Sequence, residues 1–154
     1  MKIKVLFVCM GNICRSPAAE AVFKKITKND KKFLVDSAGV IGFHAGSNAD
    51  NRMIKTAKKR DIIITSISRK LTKQDLEEFD YIVVMDDQNY EDVLNLSTNE
   101  NEYKILKMAN FLSAKHKNHT KIPDPYYGGI DGFELVLDLL EDSCNNLYEH
   151  ISNS

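Results

Sequence analysis

Val5-Leu-Phe-Val-Cys-Met-Gly-Asn-Ile-Cys-Arg-Ser-Pro-Ala-Ala-Glu20 is the stretch on which the fold turns. The apolar run that ends at Val8 has the mark of a strand buried on both faces. A short polar turn follows. A helix is then predicted over Pro17 to Lys28, because Pro suits a first turn and Ala18, Ala21, Val22 and Ile26 keep helical spacing. Ser16 is placed as its N-cap, with Glu20 in the first turn, where negative charge is favoured.

Working outward, strand and helix signals alternate. Phe33 to Ser37 reads as a strand and Asp50 to Arg60 as a helix. The Ile-rich run Asp61 to Ser66 leads into the next element. Thr72 to Glu78 carries a capping-box pattern, Thr72 standing three before Asp75. Tyr81 to Met85 is a buried strand, Asn89 to Leu96 a short helix, and Tyr103 to Met108 a strand. Gly132 to Ile151 is a long helix with Phe133, Val136, Leu137, Leu140, Cys144, Leu147 and Ile151 on one stripe. This alternation predicts an α/β sandwich on a parallel sheet, in which ligands sit beyond the carboxyl ends of the strands. The quoted turn leaves the first strand at that end.

The turn is built for an anion. A helix N-terminus offers backbone N–H groups without internal partners and a partial positive charge. Gly11 lets the backbone turn tightly, and Arg15 brings a planar fork that holds two phosphate oxygens at once. A nucleotide loop would need a second glycine and a lysine, and a dinucleotide loop three spaced glycines. Cys9 stands instead at the base of the cradle, where the same dipole, N–H groups and guanidinium stabilise a thiolate. Ser16 can donate to that sulfur. Phosphoryl transfer to sulfur is the chemistry this suggests. Other readings of the cysteines fit less well. Cys-x4-Cys has no second pair to complete a metal site, and a redox pair has Cys-x-x-Cys spacing. The departing oxygen needs a proton, and Asp124, locked between Pro123 and Pro125 ahead of Tyr126 and Tyr127, is the candidate donor.

The 154 residues suit one domain, spanning 1–154. A formal net charge of −1 gives no whole-molecule reason to expect nucleic acid or an anionic membrane as partner. The cluster Lys55, Lys58, Lys59 and Arg60 reads as the wet face of a helix. No stretch approaches the ~18 apolar residues of a membrane span, and the N-terminal apolar run is too short for a signal peptide. Three cysteines, an odd number, do not make a disulfide framework. A cytoplasmic protein with reduced thiols is expected.

The Cys9 turn, Asp36-Ser37-Ala38-Gly39, Phe79-Asp80-Tyr81-Ile82, Met85-Asp86 and Asp124-Pro125-Tyr126-Tyr127-Gly128 together resemble the low-molecular-weight protein tyrosine phosphatases, in order over essentially the whole chain. The resemblance implies a four-stranded parallel sheet flanked by helices and hydrolysis of phosphotyrosine through a cysteinyl phosphate. Cys9 would be the nucleophile, Arg15 the phosphate clamp, and Asp124 the general acid and then base. Met10, Gly11, Asn12, Ile13, Cys14, Arg15 and Ser16 would hold the phosphate. Asn12 would fix the loop, helped by Ser16 and Ser37, and Phe43, Tyr126 and Tyr127 would wall the substrate ring. Cys14 would pair reversibly with Cys9 under oxidation. No metal or other cofactor is implied. The expected partner is a phosphotyrosine-bearing protein, with a tyrosine kinase acting on Tyr126 and Tyr127, and the expected state is a monomer. Three other readings stand beside this one. A thioredoxin-coupled arsenate reductase needs two further cysteines in a mid-chain loop, and only Cys144 remains. An arginine phosphatase carries threonine where this chain has Ile13. A non-catalytic phosphate-binding module needs neither nucleophile nor acid. His44, beside Phe43, reads either as a surface residue or as one that tunes peptide preference.

Overall fold

A computed structural model describes residues 2–154. In chain order the elements are β1 (Ile3–Cys9), α1 (Arg15–Ile26), β2 (Phe33–Gly39), α2 (Asn51–Lys58), α3 (Lys73–Glu78), β3 (Tyr81–Val84), α4 (Asp87–Leu96), β4 (Ile105–Lys107) and α5 (Ile130–Ser152), with short 3-10 turns around β4. The four strands form one parallel sheet in the order β2-β1-β3-β4. This is the α/β sandwich that the alternation predicts.

The strand period of two divides the core. From β1, Val5, Phe7 and Cys9 face one side, with Phe23 of α1, Met53 of α2 and the stripe of α5. Leu6 and Val8 face the other side, with Leu76 of α3 and Val93 of α4. Helices cover both faces, so β1 has no polar face and reads as a continuous apolar run. The predicted stripe of α5 is buried throughout, from Phe133 to Ile151. Each such side chain contributes roughly 1.5–3 kcal/mol by leaving water.

Several boundaries differ from the sequence reading. The first helix starts at Arg15 and ends at Ile26, so Ser16 lies inside it and does not cap it. No side chain caps this helix, and no acidic residue lies in its first turn. Its leading N–H groups are left for the cradle. The chain leaves the helix through Lys28 and Asn29, both at positive φ, which is why the helical pattern cannot run on. Asp50 is the N-cap of α2, accepting from Arg52 N–H, and is not its first residue. Asp61 turns in the left-handed region, and Ile62 to Ser66 crosses without forming a strand, burying Ile62 and Ile64 and exposing Ile63. The capping box of Thr72 and Asp75 forms as its spacing predicts.

The order β2-β1-β3-β4 places a switch point between β1 and β3, because the chain runs from β1 to one side and later returns to the other. A crevice opens beyond the carboxyl ends of strands at such a point. Cys9 ends β1, and Asp86 follows β3 by two residues.

Candidate active site

Residues 9–15 close a loop between β1 and α1 at the mouth of that crevice. Its shape is fixed from three sides. Asn12 takes the left-handed conformation, φ 57°, which asparagine tolerates better than most side chains. Its Oδ1 accepts from the Arg69 backbone N–H at 3.0 Å, and its Nδ2 donates to Ser16 Oγ at 2.7 Å. Ser68 Oγ donates to the Gly11 carbonyl at 3.0 Å. The loop carbonyls of Cys9, Met10 and Ile13 accept from the N–H groups of Val40, Ile41 and Asp50. Gly39 lies directly beneath. A Cβ there would stand 2.9 to 3.0 Å from backbone atoms of Gly11, Asn12 and Met10, so no other residue lets the loop sit where it does.

These bonds have a direction. An amide nitrogen only donates, so Ser16 Oγ must accept from Asn12. Its own hydrogen is left for Cys9 Sγ, 3.0 Å away. The chain of donors therefore runs from Arg69 N–H through Asn12 and Ser16 and ends on sulfur. Ser37 does not join it. Its hydroxyl donates to Glu20 Oε1 at 2.6 Å, and Glu20 also takes Lys24 at 2.6 Å. The expected help from Ser37 thus reaches the loop only indirectly, by bracing α1 against β2. Ser68 and Arg69 hold the loop directly.

Arg15 is buried. Its Nη1 donates to Asp86 Oδ2 at 2.7 Å and to the Ile122 carbonyl at 3.0 Å. Its Nη2 faces Asp124 Oδ2 across the cleft at 3.8 Å. Asp86 also caps α4 by accepting from Asn89 N–H. Asp124 comes from the 122–130 loop, anchored at its start by Ile122 N–H on the Met85 carbonyl. Tyr126 N–H donates to Asp124 Oδ1 at 3.0 Å and turns the carboxylate inward.

Cys9, Met10, Gly11, Ile13, Cys14, Arg15, Asp124, Phe43, Tyr126 and Tyr127 line one cleft of about 260 Å³, together with Ile41 and His44. That volume is small for a ligand site and suits one aryl phosphate. Asn12 and Ser16 lie behind the lining. Phe43 and Tyr127 stand exposed at the rim, while Tyr126 is half-buried and packs edge-on against Tyr127. His44 leans over Gly11, its ring edge-on to Phe43. Burial, then the charge of Asp50, and then Cys9 and Asp124 push the Cys14 thiol far up, against a smaller opposing effect of Arg52.

Sequence reasoning left Asp86, Ser68 and Arg69 without roles. Asp86 had a usable signal, an acidic residue straight after a buried strand on the ligand side of the sheet. Ser68 and Arg69 had none, since they reach the loop from 57 residues away.

A family model described as low molecular weight phosphotyrosine protein phosphatase matches residues 4–154. The chain belongs to this family. It is 42% identical over 144 residues to low molecular weight phosphotyrosine protein phosphatase 1 of Drosophila melanogaster, covering 92% of each chain. The crystal structure of a protein tyrosine phosphatase from Entamoeba histolytica superposes with a TM-score of 0.95 at 46% identity, covering 99% of this chain and 98% of the other. A Drosophila arginine phosphatase structure superposes at 0.89 with 31% identity, covering 97% of this chain and 98% of that one.

Proposed function

We propose that this protein hydrolyses phosphotyrosine in proteins, and small aryl phosphates, through a cysteinyl phosphate. The observation that carries the reading is the facing of Cys9 Sγ, supplied with a proton-donating Ser16, and Asp124 across a cleft whose floor holds Arg15. In the first step the Cys9 thiolate attacks phosphorus. The P–O bond to the aryl oxygen breaks, and that oxygen takes a proton from Asp124. In the second step Asp124, now ionised, takes a proton from water as the water oxygen attacks phosphorus. The P–S bond breaks, Ser16 meets the returning thiolate, and inorganic phosphate leaves. Arg15 and the loop N–H groups hold the equatorial oxygens in both steps. The first step needs Asp124 protonated with Cys9 ionised, so the rate against pH is bell-shaped with its maximum on the acid side.

Phosphotyrosine is preferred over phosphoarginine because the wall beside the loop is apolar and aromatic: Ile13, Ile41, Phe43 and Tyr126. Tyr127, 95% exposed, offers its hydroxyl to a tyrosine kinase, with the half-buried Tyr126 beside it as the second acceptor. Three unpaired cysteines, the catalytic Cys9 among them, fit a reducing, cytoplasmic compartment, and the chain forms one domain over 1–154. No helix is long and apolar enough to cross a membrane among the described residues.

The test is hydrolysis of p-nitrophenyl phosphate at about pH 5.5 with chelator present, wild type against Cys9→Ser. Turnover that vanishes in the variant, while inorganic phosphate still binds, supports the mechanism. A folded, reduced wild type without turnover favours a phosphate-binding module. Faster turnover of a phosphoarginine peptide than of a phosphotyrosine peptide favours the arginine phosphatase reading.

A further inference from the structure

The segment 123–129 carries the acid yet is lightly held. Apart from the pairing of Asp124 with Arg15 and the local bond from Gly132 N–H to the Gly129 carbonyl where α5 begins, one hydrogen bond reaches it from elsewhere in the chain, among the described residues. Arg52 Nη2 donates to the Tyr126 carbonyl at 3.0 Å. The same guanidinium grips Asp50 with Nε and Nη2, at 3.1 and 2.8 Å. Its Cζ sits 5.4 Å from the Tyr126 ring centroid and 4.8 Å from that of Phe133 at the start of α5. Asp50, in turn, donates its backbone N–H to the Ile13 carbonyl of the phosphate loop at 2.8 Å.

We infer that Arg52 is a positioning residue that sets the general acid against the nucleophile, a role that rests on the phosphatase reading. The path is short and continuous. Ile13 of the phosphate loop is bonded to Asp50, Asp50 to Arg52, and Arg52 to the Tyr126 carbonyl. Tyr126 N–H then holds the Asp124 carboxylate. Arg52 does not line the cleft. It fixes the distance between two loops that come from opposite ends of the chain. A planar fork suits this task, because its donors point in fixed directions. Stacking on Tyr126 and Phe133 holds its plane while one edge stays with Asp50. Without it the phosphate cradle keeps its own bonds, and the acid loop loses its lateral tie.

The effect is separable from general damage by the leaving group. A 2,4-dinitrophenolate departs without a proton, whereas a phenolate needs one, and kcat/KM reports the step in which the group leaves. Arg52→Leu is expected to lower kcat/KM for phenyl phosphate on the order of tenfold more than for 2,4-dinitrophenyl phosphate. The inhibition constant of inorganic phosphate is expected to stay within about twofold. In an Asp124→Asn background the same change has little further effect on phenyl phosphate, because the two act as one unit. Arg52→Lys keeps the charge, loses the fork and shows the same skew; it gives the reading if the leucine variant does not fold. Equal losses on both substrates in a folded variant overturn the role, as does a full further loss in the Asp124→Asn background. Wild type without turnover, or turnover that survives Cys9→Ser, overturns the phosphatase reading itself. An active wild type without the skew overturns only the role of Arg52.

Discussion

Arg15 Nη1 and Asp86 Oδ2 lie 2.7 Å apart, an ion pair that joins the phosphate loop to the end of β3 across the switch point. Before substrate arrives, Asp86 is the counter-charge of a buried guanidinium. Asp86→Asn keeps the cap on α4, since asparagine caps well, and removes the charge. Breaking a buried pair costs about 3–5 kcal/mol, and the low end is expected because the Asp86 side chain is 21% exposed. A bound dianion then replaces the missing charge. Phosphate is therefore expected to raise the melting temperature of the variant by more than it raises that of wild type. Equal increments would show that Asp86 is not what balances Arg15.

Ser16→Ala removes the last donor of the chain that ends on sulfur. Hydrogen bonds to charged groups contribute about 1.5–3 kcal/mol, so turnover should fall roughly 10- to 100-fold. Alkylation of Cys9 by iodoacetamide at a fixed, mildly acid pH should slow in step. Alkylation that keeps its wild-type rate would separate Ser16 from the thiolate.

Asp75 ties the loop's support to pH. Burial works to raise its carboxyl, but hydrogen bonds from Arg69, then from Thr72, outweigh it and hold the carboxyl below its ordinary value of 3.8. A depressed carboxylate stabilises the fold fully above its unfolded value and loses that contribution as pH falls through the folded one. Melting temperatures of wild type and Asp75→Asn should therefore differ most above about pH 5 and draw together as pH falls below the ordinary carboxylate range and through the folded-state value. A gap constant over that range would contradict the pairing. Activity should fall too, because Arg69, which Asp75 grips at 2.9 and 3.1 Å, supplies the N–H that fixes Asn12.

Gly39→Ala puts a methyl group against three backbone atoms of the phosphate loop. Backbone cannot swing aside, so the loop must shift, and small misplacements near reacting atoms cost about 100-fold. Phosphate affinity and kcat should fall together. A fully active Gly39→Ala enzyme would mean that the loop tolerates displacement.

Peroxide should inactivate reversibly. The Cys9 thiolate attacks a peroxide oxygen to give a sulfenic acid and hydroxide, and the Cys14 thiol then displaces that hydroxyl as water, closing a disulfide. Cys14 is held protonated by burial and by Asp50, so it is the second thiol to react. Cys144, fully buried and likewise pushed up, stays reduced. Peptide mapping should find Cys9–Cys14 linked in wild type, and lasting inactivation in Cys14→Ser. A sulfinic Cys9 without disulfide in wild type would reject the protective role.

Much of this molecule was legible in advance because its signals are local. Val5 to Glu20 holds a strand, an anion cradle and a helix in one run, and the α5 stripe names its own buried face. Thr72 and Asp75 announce their box by spacing alone. The sequence signals a helix start at Pro17 and the structure starts it at Arg15 for a physical reason: a helix whose first N–H groups face an anion cradle has no use for the side-chain cap that usually marks its start. Ser37 was misassigned because neighbours on a strand point to opposite faces, and nothing in the sequence shows that Glu20 waits on that side. The bonds of Ser68, Arg69, Asp86 and Arg52 join segments dozens of residues apart. Such pairings come into being only when the sheet order is set.

The central place of β1 in the order β2-β1-β3-β4 also divides the site by exchange lifetime. Cys9, the proposed nucleophile, hangs from a strand paired on both sides and covered on both faces, whose amides should open only when the whole molecule unfolds. Asp124, the proposed acid, rides on a surface segment held by few bonds, which should open in small local excursions. On gentle warming the protein should first become a phosphate trap that transfers phosphoryl groups sluggishly, and only afterwards lose its grip on the anion.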